Sequence, residues 1–346
     1  LTKSAQFPFH FWLPGAMQAP TPVSSYLHSA TMVNAGIFLL LRIHPLLGET
    51  LMWKSTLVLS GAITMFLGAF FSMGQRDFKR ILAFTTISAL GTMVLLIGID
   101  TEQSMKAALV FFIVHGLYKG GLFMVAGILD KATGTRDIKV LGHIWKPMPL
   151  TTLAAAFALI SMAGLPPMLG FIGKELIYDA KIQLPALASW ILPLGVGANI
   201  LMVAISLTVF IEVFWAGKRK QPVEMKHREG EFKWYFLAGP VVLALAGLVL
   251  GLMPGVLDSL IGNALYVSRG EVIDVHLSLW HGFNQVLMLS LFTVASGIGV
   301  FLIRSRTAQF IASILNWFEK FNMARAFTKV INWYVKAAGK QTAWIQ

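Results

Sequence analysis

Nine apolar runs alternate with polar connections along the chain, at 1–17, 23–43, 56–74, 78–98, 106–129, 151–182, 188–216, 235–253 and 281–304. Most are continuous and about 20 residues or longer, the length that carries a helix across a hydrocarbon core; membrane barrels instead show alternating segments of about 10 residues. The pattern predicts an all-α, polytopic transmembrane bundle over 1–304. Leu1 falls inside what reads as half a pass, so further helices are expected ahead of it. After 304 the pattern changes. Phe310, Ile311, Ile314, Leu315 and Phe318, then Phe327, Val330, Ile331 and Tyr334, recur at helical spacing among Arg325, Lys329, Lys336 and Lys340. That is the signature of a basic amphipathic helix lying in a membrane interface, expected over 305–346.

Two passes carry breaks. In SMAGLPPMLGFIGKE, Pro166 and Pro167 sit mid-span, where each lacks an amide donor and crowds the preceding turn. In KSAQFPFHFWLPGA, Pro8 and Pro14 do the same to the opening pass. Irregular backbone at membrane depth is tolerated where it lines a cavity, and broken helices in two halves of a chain point to transport sites. Each break lies close to a lysine, Lys3 in the first case and Lys174 in the second. A proline in a span is otherwise commonly a packing kink.

Charge separates the two sides of the bundle. Threading the passes alternately across a bilayer puts Arg76, Lys79 and Arg80, then Lys131, Arg136, Lys139 and Lys146, then the six basic residues of 217–234 on one side. The other side receives Arg42, Lys54, Lys106, Lys181 and Arg269. The positive-inside rule makes the first side cytoplasmic and carries the C-terminal segment there too. The net charge of +12 is therefore read as topology and not as a nucleic-acid surface. Three basic residues fit neither side: Lys3, Lys119 and Lys174 lie within passes.

That remainder is where chemistry is expected. The run KAALVFFIVHGLYKGGLFMVAGIL (106–129) places His115 and Lys119 near the bilayer centre, and their i,i+4 spacing puts both on one helix face. A charge there costs at least about 2.5–3.5 kcal/mol, which suggests an ion or proton pathway. The alternative is a Lys that snorkels and a His bonded to a nearby carbonyl, although mid-span is the farthest place to snorkel from. Low dielectric disfavours the charged form of an amine, so a buried lysine can give up and regain its proton. Of the acids, only Glu175, Asp179 and Glu212 fall within passes, so neighbouring helices, subunits or water are expected to complete the network. His28, in SYLHSATMVNAGIF with Asn34 beyond it, is a candidate relay group because an imidazole both donates and accepts. Thr85, Thr86 and Ser88 in AFTTISALG either bond back to the i−4 carbonyl, the commoner habit, or line a wet path. Cysteine is absent, which excludes thiolate-held metal, iron–sulfur clusters and disulfides in this chain; no cofactor and no metal are expected.

The runs KSAQFPFHFWLPGAMQAPTPVSSYLHSATMV, QRDFKRILAFTTISALG, HGLYKGGLFMVAGILDKATGTRDIKVLG and MAGLPPMLGFIGKE resemble the proton-translocating antiporter-like subunits shared by complex I and the Mrp cation/proton antiporters. The likeness is nearest to the large A-type subunits of Mrp antiporters, with the L-type subunit of complex I as cousin. It covers roughly Leu1 to Asp179. It implies a relay through Lys3 on the first broken helix, His28 as bridge, His115 and Lys119 at the centre of the second half-channel, and Lys174 on the second broken helix. Lys79 matches a family lysine near a helix mouth, and Glu175 adjoins the terminal lysine. Asn34 departs from the pattern, since A-type subunits often carry Lys there. The implied function is proton translocation within a multisubunit Na+/H+ antiporter in the cell membrane, with other antiporter subunits, membrane lipid, H+ and Na+ as partners. A redox-driven pump subunit of a complex I-type enzyme and a non-conducting scaffold remain as alternatives.

Overall fold

The computed structural model describes residues 1–182, 185–215, 234–280 and 282–320, with Lys329, Asn332, Trp333 and Val335 beyond them. The opening residues form single turns and no continuous helix: a 3-10 turn at Phe9–Phe11, α1 (Trp12–Gly15) and a second 3-10 turn at Ala16–Gln18. Pro8 precedes the first of these turns and Pro14 lies inside the second, so no amide ladder runs through them. α2 (Thr21–Ser29) and α3 (Met32–Leu47) follow. The single pass expected at 23–43 is therefore interrupted at Ala30 and Thr31, a break that no proline or glycine at those two positions announced.

α4 (Leu51–Ser72) and α5 (Phe78–Ile99) pack as a close antiparallel pair. Their backbones nearly touch: a Cβ at Gly98 would come within 2.7 Å of the Val58 nitrogen, and one at Gly68 within 2.8 Å of the Phe84 carbonyl. Association in lipid depends on such small-residue seams, because apolar side chains gain nothing by leaving lipid for each other. Buried along almost its whole length, α5 forms the axis of the bundle. Asp77 caps its start and Asp100, in the left-handed conformation (φ 59°), ends it. The long α6 (Glu102–Thr133) starts from a Thr101/Ser104 capping box and stops at Gly134 (φ 71°).

The second broken pass is α7 (Pro149–Ala163), an irregular stretch at Gly164–Met168, and α8 (Leu169–Ile182). The interruption falls at Pro166 and Pro167, as their chemistry requires. α9 (Pro185–Val209) runs into a π-turn at Phe210–Trp215. α10 (Trp234–Leu252), α11 (Asp258–Arg269), α12 (Gln285–Leu302) and α13 (Arg304–Lys320) complete the order. Among the described residues, seven helical stretches are long and apolar enough to cross a membrane, and α7 is a shorter apolar helix. The chain is a multi-pass, all-helical membrane protein. α11 is absent from the expected passes because its sequence is too polar; it lies against α3 and α6. The basic connection expected at 217–234 and the amphipathic stretch with Phe327, Val330, Ile331 and Tyr334 lie outside the described residues.

Candidate functional site

The site is built on α5 and α6, the two helices that pass through the middle of the bundle. Lys119 is fully buried. Its Nζ donates to the Leu82 carbonyl oxygen at 2.9 Å and to Thr85 Oγ1, both on α5. Thr85 in turn donates to the Ile81 and Leu82 carbonyls, each at 3.0 Å. The ammonium is thus held by dipoles of a neighbouring helix and by no carboxylate among the described residues. Lys119 does not snorkel.

Two buried histidines flank it. His115, one turn earlier on α6, meets the edge of the Tyr118 ring at 5.7 Å, and His28, at the end of α2, stacks on Phe123 at 4.6 Å. Both are fully buried, and among the described residues no ring nitrogen of either has a hydrogen-bond partner. Buried polar atoms are nearly always satisfied, so four such nitrogens around one lysine call for a functional account. The approach of α2 that places His28 here depends on small residues along α6: Gly116 faces the Ser29 carbonyl, Gly127 faces Thr21, and Ser25 Oγ donates to the Gly120 carbonyl at 3.3 Å. Asn34 Nδ2 donates to the Ser29 carbonyl at 2.6 Å. Asn34 therefore closes the end of α2 just beyond His28.

On the other flank the hydroxyls of α5 lead to Lys174. Thr86 and Thr92 bond back to the i−4 carbonyls, the commoner habit, but Ser88 reaches across to the Met65 carbonyl at 2.7 Å. Ser88, Thr92, Tyr118, Ser161, Lys174 and Asn199 line a small space of about 30 Å³. A water needs about 10–15 Å³ by this measure, so there is room for roughly two. The break in the second interrupted pass shapes this space: Gly164 takes φ +67°, and the methylene stem of Lys174 lies so close that a Cβ there would meet Lys174 Cδ at 2.8 Å. Beside Lys174, Glu175 accepts a hydrogen bond from Ser290 of α12, and Tyr178 pairs with Thr293 at 2.8 Å. Pro166 and Pro167 are exposed, and Pro14, within α1, is buried.

Three expectations change. Lys3 is exposed. Its neighbours Ser4, Ala5 and Gln6 take the inner side of the opening turn, with Ser4 packed on Gly36, and this leaves the lysine outside. Lys79, expected in a polar connection, is buried, because its Nζ donates to the Ala19 carbonyl at 2.7 Å. Arg136 pins the same segment through the Met17 carbonyl at 3.3 Å while pairing with Asp77 at 3.1 Å. Lys181, expected in the connection on the opposite side, is also buried.

A cluster of another kind escaped sequence reasoning. Asp100 meets His44 at 2.8 Å, Lys54 at 2.9 Å and Arg269 at 2.9 Å, and joins α3, α4, α5 and α11 at one end of the bundle. The signal present was an acid at the mouth of a span; its partners are spread too widely in sequence to be paired by eye.

A sequence profile of the NADH:quinone oxidoreductase/Mrp antiporter transmembrane family matches residues 1–203. In Rhizobium meliloti, a probable K(+)/H(+) antiporter subunit of type A/B is 40% identical over 320 residues, covering 89% of this chain and 31% of that protein. In Alkalihalophilus pseudofirmus, an Na(+)/H(+) antiporter subunit of type A is 36% identical over 361 residues, covering 94% and 45%. In the solved structures, a chain of the Mrp complex from Dietzia sp. DQ12-45-1b superposes with a TM-score of 0.86 at 35% identity, over 98% of this chain and 36% of that one. The chain spans less than half the length of these relatives.

Proposed function

Because this chain belongs to the NADH:quinone oxidoreductase/Mrp antiporter transmembrane family, we propose that it is a proton-conducting part of an A-type subunit in a multisubunit monovalent cation/proton antiporter. It is a transporter component and not an enzyme. Protons pass between His28, His115 and Lys119 and then, through water beside Ser88 and Thr92, to Lys174. Lys79 stands at the mouth of this row, and Glu175 fixes the surroundings of Lys174. Lys3, on the outside of the opening turn, is the point where the relay meets a neighbouring segment. Inward proton flow drives export of Na+ or a related cation, and the basic connections and the tail after Arg304 face the cytoplasm.

The observation that carries this reading is the buried Lys119 ammonium flanked by two imidazoles without hydrogen-bond partners among the described residues. A scaffold has no use for that arrangement, since apolar residues of the same volume would be equally stable or more so. A water-sized space then reaches Lys174. Coupling along such a row is physically adequate: two charges about 7 Å apart interact by about 2.4 kcal/mol at an effective dielectric of roughly 20. Each proton that arrives thereby repels the next one onward.

The test is cation-dependent proton flux in vesicles carrying the whole complex. Lys119→Ala and Lys174→Ala should each abolish flux while the complex still assembles. Unchanged transport in both would favour a scaffold. The redox-pump reading predicts co-purifying flavin and iron–sulfur subunits, whereas the relatives carry antiporter names.

A further inference from the structure

Lys181 is a buried base that the relay described above leaves idle. It sits on the last turn of α8, seven residues after Lys174 and so on nearly the same helix face. Only 1% of it is exposed. Side chains on a helix lean toward its N-terminus, which turns the lysine stem back into the bundle and away from the nearby connection. There the ammonium ends 3.7 Å from Met65 Sδ of α4, against Gly195 of α9, where any Cβ would collide with it. A thioether is a weak acceptor. It is the one hydrogen-bond partner that Lys181 Nζ finds among the described residues.

Packing gives no reason for this. A buried amine facing sulfur and a glycine is costly, and methionine or leucine would fill the space without the cost. Location supplies a reason instead. The Met65 that receives Lys181 through its sulfur also receives Ser88 through its carbonyl, and Ser88 is part of the wall around Lys174. Ile177, one turn before Lys181, is part of that wall too. Met65 and Ile177 therefore connect the surroundings of Lys174 to those of Lys181.

We propose that Lys181 is the last protonatable group of the relay, taking a proton from Lys174 and releasing it on the side opposite the basic connections. One N–H bond breaks on Lys174 and one forms on Lys181, while a water between them gains and loses a proton in the same step. The flexible stem of Lys181 supplies the motion that brings the two groups within reach of that water, and Gly195 leaves the room for it. This rests on the proton-relay reading given above, and its test is chosen so that the two fail separately.

In vesicles carrying the whole complex, Lys181→Met should lower cation-dependent proton flux at least tenfold, with assembly intact and the unfolding temperature unchanged or raised. Lys181→Arg keeps the cation but holds its proton, and should lower flux similarly. Parent-level flux in Lys181→Met, or in Lys181→Arg where only that variant assembles, overturns the inference. Failure of both variants to assemble overturns it as well, by making Lys181 a structural cation. If Lys174→Met abolishes flux while Lys181→Met does not, the relay stands and the Lys181 step falls. If Lys174→Met is also silent, the relay itself falls.

Discussion

Replacing Gly164 by alanine tests whether the broken pass is shaped around Lys174 or only happens to adjoin it. Two effects act at this position. The backbone is left-handed at φ +67°, a conformation that costs an L-residue about 1–2 kcal/mol. The new methyl would also stand 2.8 Å from Lys174 Cδ, so the stem must retreat by about 0.6 Å to reach the 3.4 Å of ordinary contact. Gly270 separates the two effects. It has φ +78° and nothing within 4 Å of an added Cβ, so Gly270→Ala incurs the backbone penalty alone. Both variants should lower the unfolding temperature of the purified complex, Gly164→Ala by at least as much as Gly270→Ala because of its added clash. Only Gly164→Ala should lower proton flux, by tenfold or more, because misplacing a reacting group by about 1 Å costs on the order of a hundredfold where geometry controls the step. Flux is measured in vesicles and normalised to assembled complex. Gly164→Ala transporting within twofold of both the parent and Gly270→Ala would refute the claim that the break positions Lys174.

Further outcomes follow from the same contacts. Thr85→Val keeps the shape of the side chain but removes one of the two acceptors of Lys119 Nζ; a hydrogen bond to a charged group is worth about 1.5–3 kcal/mol, so flux should fall by a factor of ten or more, and Thr85→Ser should keep most of it. Asp100→Ala leaves His44, Lys54 and Arg269 without their shared carboxylate. Breaking a buried pair costs about 3–5 kcal/mol, and because Lys54 and Arg269 are partly exposed the loss should be nearer 2–3 kcal/mol, read as a lower unfolding temperature with little change in flux per assembled complex.

The helical spans, the break at Pro166 and Pro167 and the central placement of Lys119 were legible because each rests on local rules: hydropathy over a window, the missing amide of proline, and i,i+4 spacing. What was not legible depends on where side chains go. Lys79 and Lys181 both lie near span ends, and their positions in sequence alone place them in polar connections. Lys79 is drawn inward by a carbonyl sixty residues away at Ala19. Lys181 is drawn inward by the backward lean of α8 side chains and by a space that Gly195 leaves open. The opposite error occurs at Lys3, where a pass-like sequence folds into turns that direct the lysine outward. The break after His28 has no proline or glycine at Ala30 or Thr31 to mark it; the clue is Asn34, whose side chain satisfies the freed Ser29 carbonyl.

Correcting the lysines alters the argument from charge without weakening it. Removing Lys79 from one side of the bilayer and Lys181 from the other leaves the asymmetry of the basic connections as strong as before, so the orientation it implies is unaffected. What changes is the inventory at membrane depth. Lys79, Lys119, Lys174 and Lys181 are all buried, and the partners of the first two are backbone carbonyls and a hydroxyl. Neutral dipoles favour an ammonium without locking it in place, as a facing carboxylate would. A group that must release its proton in each cycle benefits from that weaker grip. The acids follow the same division by their positions: Asp100 and Glu212 hold Arg269 and Arg304 at the margins of the bundle. On the proposed relay, these two marginal carboxylates hold the structure together while the interior lysines are left able to change charge.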